Sequence, residues 1–401
     1  MSTLAPARAR PPWEAPSRGR TPGLDWLMVL AVLGLLAVGT MLVWSATVSR
    51  DDLTGGDPES YLKKHLVNIA IGVVLAVVVM ATDHRWVRIL APLIYLLSVA
   101  GLALVLSIGA TINGSRSWLL LGGLSIQPAE FAKLAVIVGM ALVVAERTEG
   151  SRRQREVRHL DVLVMLAIAA VPAALILLQP DLGTMLVLSA TVFGVIAVSG
   201  APRRWLFGLV LGAVSAAVLA VQLGLLESYQ LDRFIAFTDP TIDPRGAGYN
   251  TTQARIAIGN GGVFGQGLFD GSQTQSGFVP EQHTDFIFTV AGEELGLVGS
   301  AVVIGLLGVL LWRALTVAMR APDLFGRLAA AGIACWFGFQ AFQNVGMCLG
   351  IMPITGVPLP LVSYGGSSMF ATLMAVGLLQ NIHLRSDRFP TTRALSGRRL
   401  P

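Results

Sequence analysis

The chain has 401 residues, of which 54% are hydrophobic and only 13% are charged, and its formal net charge is +5 at pH 7. A soluble domain of this length does not need so much apolar surface, and the two cysteines, Cys335 and Cys348, do not form a disulfide framework or a Cys/His metal motif. Long, continuous apolar runs indicate membrane-spanning helices rather than the alternating strands of a β-barrel. The sequence therefore predicts an all-α, polytopic integral membrane protein.

The apolar runs predict ten membrane-spanning helices. Residues 1–24 are polar and contain four arginines, so they are predicted to be a disordered cytoplasmic tail, and the apolar run after them is longer than that of a signal peptide. Residues 25–384 are predicted to form one membrane domain with a large outer loop at 225–284, followed by a cytoplasmic tail at 385–401. The predicted spans are 25–47, 64–82, 87–108, 129–146, 160–178, 184–200, 205–224, 285–312, 326–350 and 361–383.

The distribution of basic residues predicts the orientation of these spans. If the N-terminus is cytoplasmic, the inner segments contain 21 of the 29 Lys and Arg residues, as the positive-inside rule requires. Both termini are therefore predicted to be cytoplasmic, and the pI near 9.6 reports this asymmetry without any need for a nucleic-acid partner. The unusual polar sequences then lie on the outer side, so any chemistry is expected there or in the outer leaflet.

Two polar motifs precede and begin the fourth span. In "SRSWLLLGG", Trp118 belongs to an aromatic belt or stacks on a sugar or lipid headgroup, and Arg116 is a candidate for binding an anion. In "QPAEFAK", Glu130 and Lys133 are three residues apart and share one helix face. They form a mutually neutralising pair, or Lys133 faces a polar cavity and pairs with an anionic substrate or with Asp285.

Further candidates lie on the same predicted side. Gln179 and Asp181 in "QPDLGT" stand between two spans, where Asp181 caps a helix or lines the same cavity. Arg233 and Arg255, in or near the long loop, are exceptions to the positive-inside rule; binding of a diphosphate or pairing with surface acids would explain them. Ser363 lies in "PLPLVSYGGS", whose prolines and glycines predict irregular backbone that lines a cavity or is buried in protein.

The strongest functional signal is "PEQHTDFIF" at the predicted start of the eighth span. Asp285 is predicted to begin the helix, where its carboxylate caps the helix or serves as a general base. Glu281 and His283 are close neighbours in the sequence. Glu293 and Glu294 lie about 12–14 Å further along the helix, so they are predicted to bond to neighbouring helices. The glycine-rich sequence before this motif lacks the GK[ST] of a P-loop, so no nucleotide is expected.

Taken together, these motifs resemble those of the SEDS family (shape, elongation, division and sporulation). The form "GSQTQSGFVPEQHTDFIF" is more similar to the elongation (RodA) branch than to the division (FtsW) branch. The resemblance covers about residues 25–384 and rests, in chain order, on "NGSRSW", "QPAEFAKLA", "QPDLGT", "DPRGAGYNTTQARIAIGNGGVFGQGL", "PEQHTDFIF", "EELGLVG" and "GVPLPLVSYGGSS".

The resemblance implies a peptidoglycan glycosyltransferase that polymerises lipid II, an undecaprenyl-diphosphate-linked disaccharide-pentapeptide, at the outer face of the bacterial cytoplasmic (inner) membrane. It implies that Asp285 is the catalytic aspartate, as general base or metal ligand, and that Trp118 is needed for activity. It also implies a divalent metal, Mg²⁺ or Mn²⁺. The implied partners are a class B penicillin-binding protein transpeptidase and other membrane proteins of the elongation complex.

Two other functions remain open from the residues alone. Broken helices and intramembrane charges are typical of a lipid II flippase or transporter, although a transporter is expected to present polar groups to both sides of the membrane. A non-catalytic scaffold that recruits a transpeptidase is the second alternative. The scaffold predicts that Asp285→Asn retains function, whereas the enzyme predicts that it does not.

Overall fold

The computed structural model describes residues 23–82, 84–112, 115–121, 124–149, 156–224, 237 and 246–386. Most of the two predicted tails and part of the predicted 225–284 loop, including Arg233, lie outside the described residues. The described residues form fourteen helices and three short strands: α1 (Trp26–Val48), α2 (Asp51–Thr54), α3 (Ser60–Ala81), α4 (His84–Ile108), β1 (Ala110–Ile112), β2 (Ser115–Leu121), β3 (Leu124–Ile126), α5 (Pro128–Glu149), α6 (His159–Leu177), α7 (Leu182–Val198), α8 (Arg203–Gln222), α9 (Ala247–Asn260), α10 (Ser272–Ser276), α11 (Ile287–Glu294), α12 (Gly296–Arg320), α13 (Leu324–Leu349) and α14 (Gly366–Ser386).

Ten long helices overlap the ten predicted spans: α1, α3 to α8, and α12 to α14. The last of them begins at Gly366, five residues after the predicted start of the tenth span. Eight of the described helices are long and apolar enough to cross a membrane, and α7, with 17 residues, is a shorter apolar helix. The tenth, α14, is more polar because it carries buried amides such as Gln380 and Asn381. The prediction of an all-α, polytopic membrane protein is therefore confirmed.

The eighth predicted span is divided into two helices, so the prediction of one helix at 285–312 is wrong. The chain turns at Gly296, whose φ is +67°. Only glycine fits there, because a Cβ would clash with the backbone of Val263 and Gly265. The first helix, α11, begins at Ile287 and its N-cap is Phe286. Asp285 therefore precedes the helix, and the prediction that it begins the span is wrong.

The predicted outer loop at 109–128 contains a small antiparallel sheet in the order β1-β2-β3. Ala110 of β1 pairs with Trp118 of β2, and Leu119 of β2 pairs with Ile126 of β3. The sheet joins the end of α4 to the beginning of α5. We call this end of the helix bundle, marked by β1 to β3, the sheet end.

The core of the bundle is formed by α5 and α13, which are the most buried of the span candidates. Close helix packing is made possible by small residues; a Cβ on Gly377 of α14, for example, would clash with the carbonyl of Ala76 in α3. By contrast α8, which the structure describes in full, has no buried residue. Trp205, Leu206 and Leu209 in its first turns pack against the core. The exposed side chains of the rest of α8 are mainly apolar, as expected for a helix that faces lipid.

The connection between α13 and α14, residues 350–365, is non-helical, and we call it the linking segment. Its carbonyl groups need hydrogen-bond donors, because irregular backbone at membrane depth is stable only when protein groups satisfy it. Three adjacent amides of α13 supply those donors. Gln343 Nε2 donates to Pro353 O at 3.1 Å, Asn344 Nδ2 to Val357 O at 2.7 Å, and Gln340 Nε2 to Pro358 O at 2.8 Å.

Candidate functional site

A polar cavity with a volume of about 550 Å³ lies at the sheet end. Cavities of this size commonly bind small molecules or parts of larger ligands. Within the part of the chain that the structure describes, no Lys or Arg lines it. Its lining residues come from the sheet and the residue after it, the start of α7, α9, the segment before α11, the linking segment and the start of α14: Ser115, Ser117, Trp118, Ser125, Gln127, Pro180, Asp181, Leu182, Asn250, Pro280, Glu281, Thr284, Asp285, Phe286, Ile354, Thr355, Gly356, Pro358, Tyr364, Gly365, Ser367 and Ser368.

Asp285 lies in the wall of the cavity between the segment before α11 and the linking segment. Its backbone N–H donates to Glu281 O at 3.0 Å, and its carbonyl accepts a hydrogen bond of 2.7 Å from Asn344 Nδ2. The carboxylate lies beside Gly356, where a Cβ would be only 3.2 Å from Asp285 Oδ2. The carboxylate therefore faces a polar space from a backbone that neighbouring elements hold in place.

Glu281 also lines the cavity, four residues before Asp285. Its φ of +50° is unusual for a residue other than glycine, and such conformations occur often at functional sites. Thr284 Oγ1 donates to Glu281 Oε2 at 3.2 Å. Glu281 is thus a second carboxylate of the cavity, with its side chain oriented by a neighbouring hydroxyl.

His283 is buried behind this wall, in contact with two tyrosines. Its ring centroid lies 5.0 Å from that of Tyr61 and 5.7 Å from that of Tyr364, which lines the cavity. Burial lowers the pKa of His283; the negative charge of Glu281 partly opposes this shift, and the positive charge of Arg50 adds to it. The imidazole is therefore neutral at pH 7 and supports Tyr364 from behind.

Asp181 has both of its predicted roles, because it caps α7 and lines the cavity. Its carboxylate accepts hydrogen bonds from Thr184 N at 2.9 Å and from Thr184 Oγ1 at 2.8 Å. It also accepts one from Gln127 Nε2 at 3.1 Å. Trp118 on β2 lines the same cavity, where its ring can stack on a ligand.

Glu130 and Lys133 form the mutually neutralising pair that was one of the two predictions. Lys133 Nζ lies 2.8 Å from Glu130 Oε1, and both side chains are buried. Lys133 also donates to Gln340 Oε1 at 3.0 Å and lies 4.9 Å from the ring centroid of Trp336. Neither member of the pair is among the lining residues, so the alternative in which Lys133 faces the cavity is not what the structure shows.

Arg116 and Arg255 were candidates for binding a diphosphate, but both guanidinium groups bond to helix ends. Arg116 donates to Gly109 O at 2.9 Å and to Ser107 O at 2.7 Å, at the end of α4. Arg255 donates to Leu349 O at 3.2 Å, at the end of α13. Cations stabilise helix C-termini in this way, and neither arginine lines the cavity.

Gln179 and Ser363 hold backbone in place near the cavity without lining it. Gln179 is fully buried, and its Nε2 donates to Leu102 O at 3.1 Å. Ser363 Oγ accepts a hydrogen bond of 2.8 Å from Leu359 N inside the linking segment. Both residues therefore stabilise the backbone around the cavity and do not face a ligand in it.

Sequence reasoning missed Asn344, which contacts the backbone of Asp285. A signal was present, because "FQAFQNVG" places three amides in an otherwise apolar helix, and polar groups inside a membrane normally have partners. It also missed the small hydroxyl residues of the lining, such as Ser117, Ser367 and Ser368. Serines are common in any sequence, so only the folded chain reveals that these face one space.

The carboxylates of Asp181, Glu281 and Asp285 give the cavity a donor set that suits a hard cation such as Mg²⁺. Among the described residues, no three His, Cys, Asp or Glu side chains are close enough to hold a metal ion together. Mg²⁺ is commonly held by one or two carboxylates together with the phosphates of a substrate. The lining fits that kind of shared site.

Comparison with known proteins gives the chain a family. The profile of the FtsW/RodA/SpoVE family, described as cell cycle proteins, matches residues 25–388. The chain is 39% identical over 377 residues to the probable peptidoglycan glycosyltransferase FtsW of Aeromonas salmonicida, covering 92% of each chain. It is 37% identical to the peptidoglycan glycosyltransferase MrdB of Escherichia coli (90% of this chain, 93% of that one) and 37% identical to the stage V sporulation protein E of Bacillus subtilis (89% and 96%).

Solved structures have the same fold. A chain from a structure described as a peptidoglycan synthase complex that coordinates polymerisation and crosslinking has a TM-score of 0.75 and 35% identity, over 91% of this chain and 98% of that one. The rod shape determining protein RodA of Thermus thermophilus has a TM-score of 0.67 and 33% identity, over 90% and 97%. The chain therefore belongs to the FtsW/RodA/SpoVE family, whose motifs its sequence resembles.

Proposed function

We propose that this chain polymerises lipid II into β-1,4-linked glycan strands, with Asp285 as the general base. Its reaction class is that of a peptidoglycan glycosyltransferase, the activity in the names of its FtsW and MrdB relatives. The observation that carries the role of Asp285 is its carboxylate in the wall of a hydroxyl-lined cavity, on a backbone held by Asn344. A sugar hydroxyl that enters this cavity meets a group able to accept its proton.

The proposed step is an inverting substitution. Asp285 accepts the proton of the acceptor GlcNAc 4-hydroxyl as that oxygen forms a bond to C1 of the donor MurNAc. The bond between C1 and the lipid diphosphate breaks, and the diphosphate leaves with the electron pair. An α-linked donor gives a β-linked product, and one base suffices for such an inversion. Because the donor is activated by its diphosphate, the reaction needs no nucleotide.

The charge of the cavity supports a divalent cation, Mg²⁺ or Mn²⁺, as the cofactor. A diphosphate that entered would meet the carboxylates of Asp181, Glu281 and Asp285, and no Lys or Arg among the described lining residues. Like charges in one cavity repel each other. A cation held by one of these carboxylates, Asp285 and Glu281 among them, together with the diphosphate would supply positive charge to the leaving group.

The other parts of the cavity suit a sugar. Trp118 offers an aromatic face, on which the apolar face of a sugar ring stacks. Ser115, Ser117, Ser367 and Ser368 offer hydroxyl groups that can both donate and accept hydrogen bonds. These groups suit the binding of a disaccharide.

The membrane setting follows from the charge distribution. The positive-inside rule supports insertion in the bacterial cytoplasmic membrane with both termini inside and the sheet end outside. A class B penicillin-binding protein is the proposed partner, since the similar complex is described as coordinating polymerisation with crosslinking. The elongation role, with other membrane proteins of that complex, is proposed from "GSQTQSGFVPEQHTDFIF"; the relatives carry names from both branches.

The decisive experiment measures glycan made from lipid II by purified wild-type and Asp285→Asn protein, with Mg²⁺ or Mn²⁺ and with EDTA. Loss of a general base should lower the rate at least about 100-fold. Asp57→Asn is the control, because Asp57 is exposed and pairs with Lys63 away from the cavity. Wild-type rates with Asp285→Asn would refute the assigned role, and transport of fluorescent lipid II across liposomes without polymer would identify a flippase.

A further inference from the structure

Asn344 connects Asp285 to the linking segment through a single side chain. Its Nδ2 lies 2.7 Å from Asp285 O and 2.7 Å from Val357 O, so the amide donates one hydrogen bond to each carbonyl. An amide nitrogen has two hydrogens, and both are used here. The backbone of Asp285 and that of Val357 are therefore held at a fixed separation by one group on α13.

The linking segment also limits the side chain of Asp285. Gly356 precedes Val357, has a φ of +70°, and would place a Cβ 3.2 Å from Asp285 Oδ2. The carboxylate thus lies against the chain turn that the Asn344 amide holds. A shift of the linking segment relative to α11 would move Gly356 away from the carboxylate and would break the hydrogen bond from Asn344 to Val357 O.

The neighbouring amides of α13 also bond to the linking segment, but they do so without bonding to Asp285. Gln343 and Gln340 also donate to carbonyls of that segment, at Pro353 and Pro358. Neither of them bonds to Asp285. Of the three buried amides, Asn344 alone joins the linking segment to the residue proposed to do the chemistry.

We propose that Asn344 is the positioning residue for Asp285: it fixes the carboxylate at the distance from the acceptor hydroxyl that proton transfer needs. This inference rests on the proposed function, because it concerns the geometry of the same base. Asn344 is not a lining residue and makes no contact with the cavity, so it acts through Asp285. A displacement of about 1 Å at a reacting group costs roughly 100-fold in rate, whereas lipid II binding does not depend on that displacement.

The test compares Asn344→Leu with Gln343→Leu in the full-length purified protein. The two positions are adjacent, both are fully buried in α13, and each substitution removes an amide that donates to the linking segment. We expect kcat for lipid II polymerisation to fall about 100-fold in Asn344→Leu, with the Kd for lipid II unchanged. Gln343→Leu should keep nearly the wild-type kcat, with a melting temperature similar to that of Asn344→Leu.

Each outcome decides the question. Equal kcat values in the two variants, or a loss of lipid II binding in Asn344→Leu as large as the loss of rate, would overturn the positioning role. If Asn344→Leu does not fold, Asn344→Asp is the second variant. Its side chain has nearly the same volume, but oxygens replace the amide donor opposite the two carbonyls. If neither variant folds, Asn344 is a structural residue and the positioning role is overturned. Asp285→Asn, assayed in parallel, separates the two proposals. If it is inactive while the Asn344 variants are normal, only the positioning role fails.

Discussion

Trp118 is one of three aromatic residues among the described lining residues of the cavity, with Phe286 and Tyr364. The sequence left two roles open for it, an aromatic belt or a stacking platform, because both place a tryptophan near the membrane surface. The structure puts it on β2 in the cavity wall, among serines and carboxylates. The choice could not be made from sequence, since it depends on a sheet whose pairing brings residues 110 and 118 together.

The Trp118 ring should contribute to substrate binding more than to the chemical step. Loss of a stacking contact worth about 1.4 kcal/mol corresponds to a tenfold change in affinity. We therefore expect Trp118→Ala to raise KM for lipid II roughly tenfold, and Trp118→Phe to retain most of the affinity. Steady-state rates over a range of lipid II concentrations would measure this. Trp86→Ala is the control, because Trp86 is exposed on α4; an equal effect there would mean that the change is not specific to the cavity.

The helices are the part of the fold that the sequence predicts best. Ten apolar runs correspond to ten long helices, because each run must span the same thickness of hydrocarbon whatever its neighbours are. The breaks and irregular parts are less predictable. At the division between α11 and α12, Leu297 N donates to Gly262 O and Val298 N donates to Val263 O. These hydrogen bonds join residues that are far apart in the sequence, so the sequence pattern of the span does not predict them.

The Glu130–Lys133 pair lies within one turn of α5, and both side chains are buried in the core. Removing one partner leaves a buried charge uncompensated, which costs about 3–5 kcal/mol, whereas removing both is much less costly. We expect Lys133→Met to lower the melting temperature in detergent strongly, and Glu130→Gln/Lys133→Met to recover most of the loss. Thermal unfolding followed by light scattering would measure this. A double variant less stable than Lys133→Met would show that the charges do more than neutralise each other.

At the scale of the whole molecule, His283 couples stability to pH. Burial lowers the pKa of His283 below its ordinary value of about 6.5, so below that pH the unfolded chain binds a proton that the folded chain does not. Stability contributed by this group is therefore present above pH 6.5 and is lost as the pH falls towards the folded pKa.

We expect the melting temperature of the wild type to fall between pH 7 and pH 5.5, and that of His283→Phe to fall less. A phenyl ring keeps the edge contact with Tyr61 and cannot take up a proton. Melting curves in detergent at both pH values would measure the difference. The same slope in both proteins would show that other groups cause the pH dependence.

Glu293, Glu294 and Asp285 differ in whether their hydrogen-bond partners are translated before or after them. Glu293 accepts hydrogen bonds from Gln273 and Thr274, and Glu294 from Ser45, all of which precede them in the chain. When α11 leaves the ribosome, the partners that make these two acids acceptable inside a membrane already exist. Asp285, by contrast, bonds to Asn344 and lies against Gly356, which are translated later. A nascent chain that ends after α12 can thus satisfy Glu293 and Glu294, while the surroundings of Asp285 are complete only after α13 and the linking segment have been made.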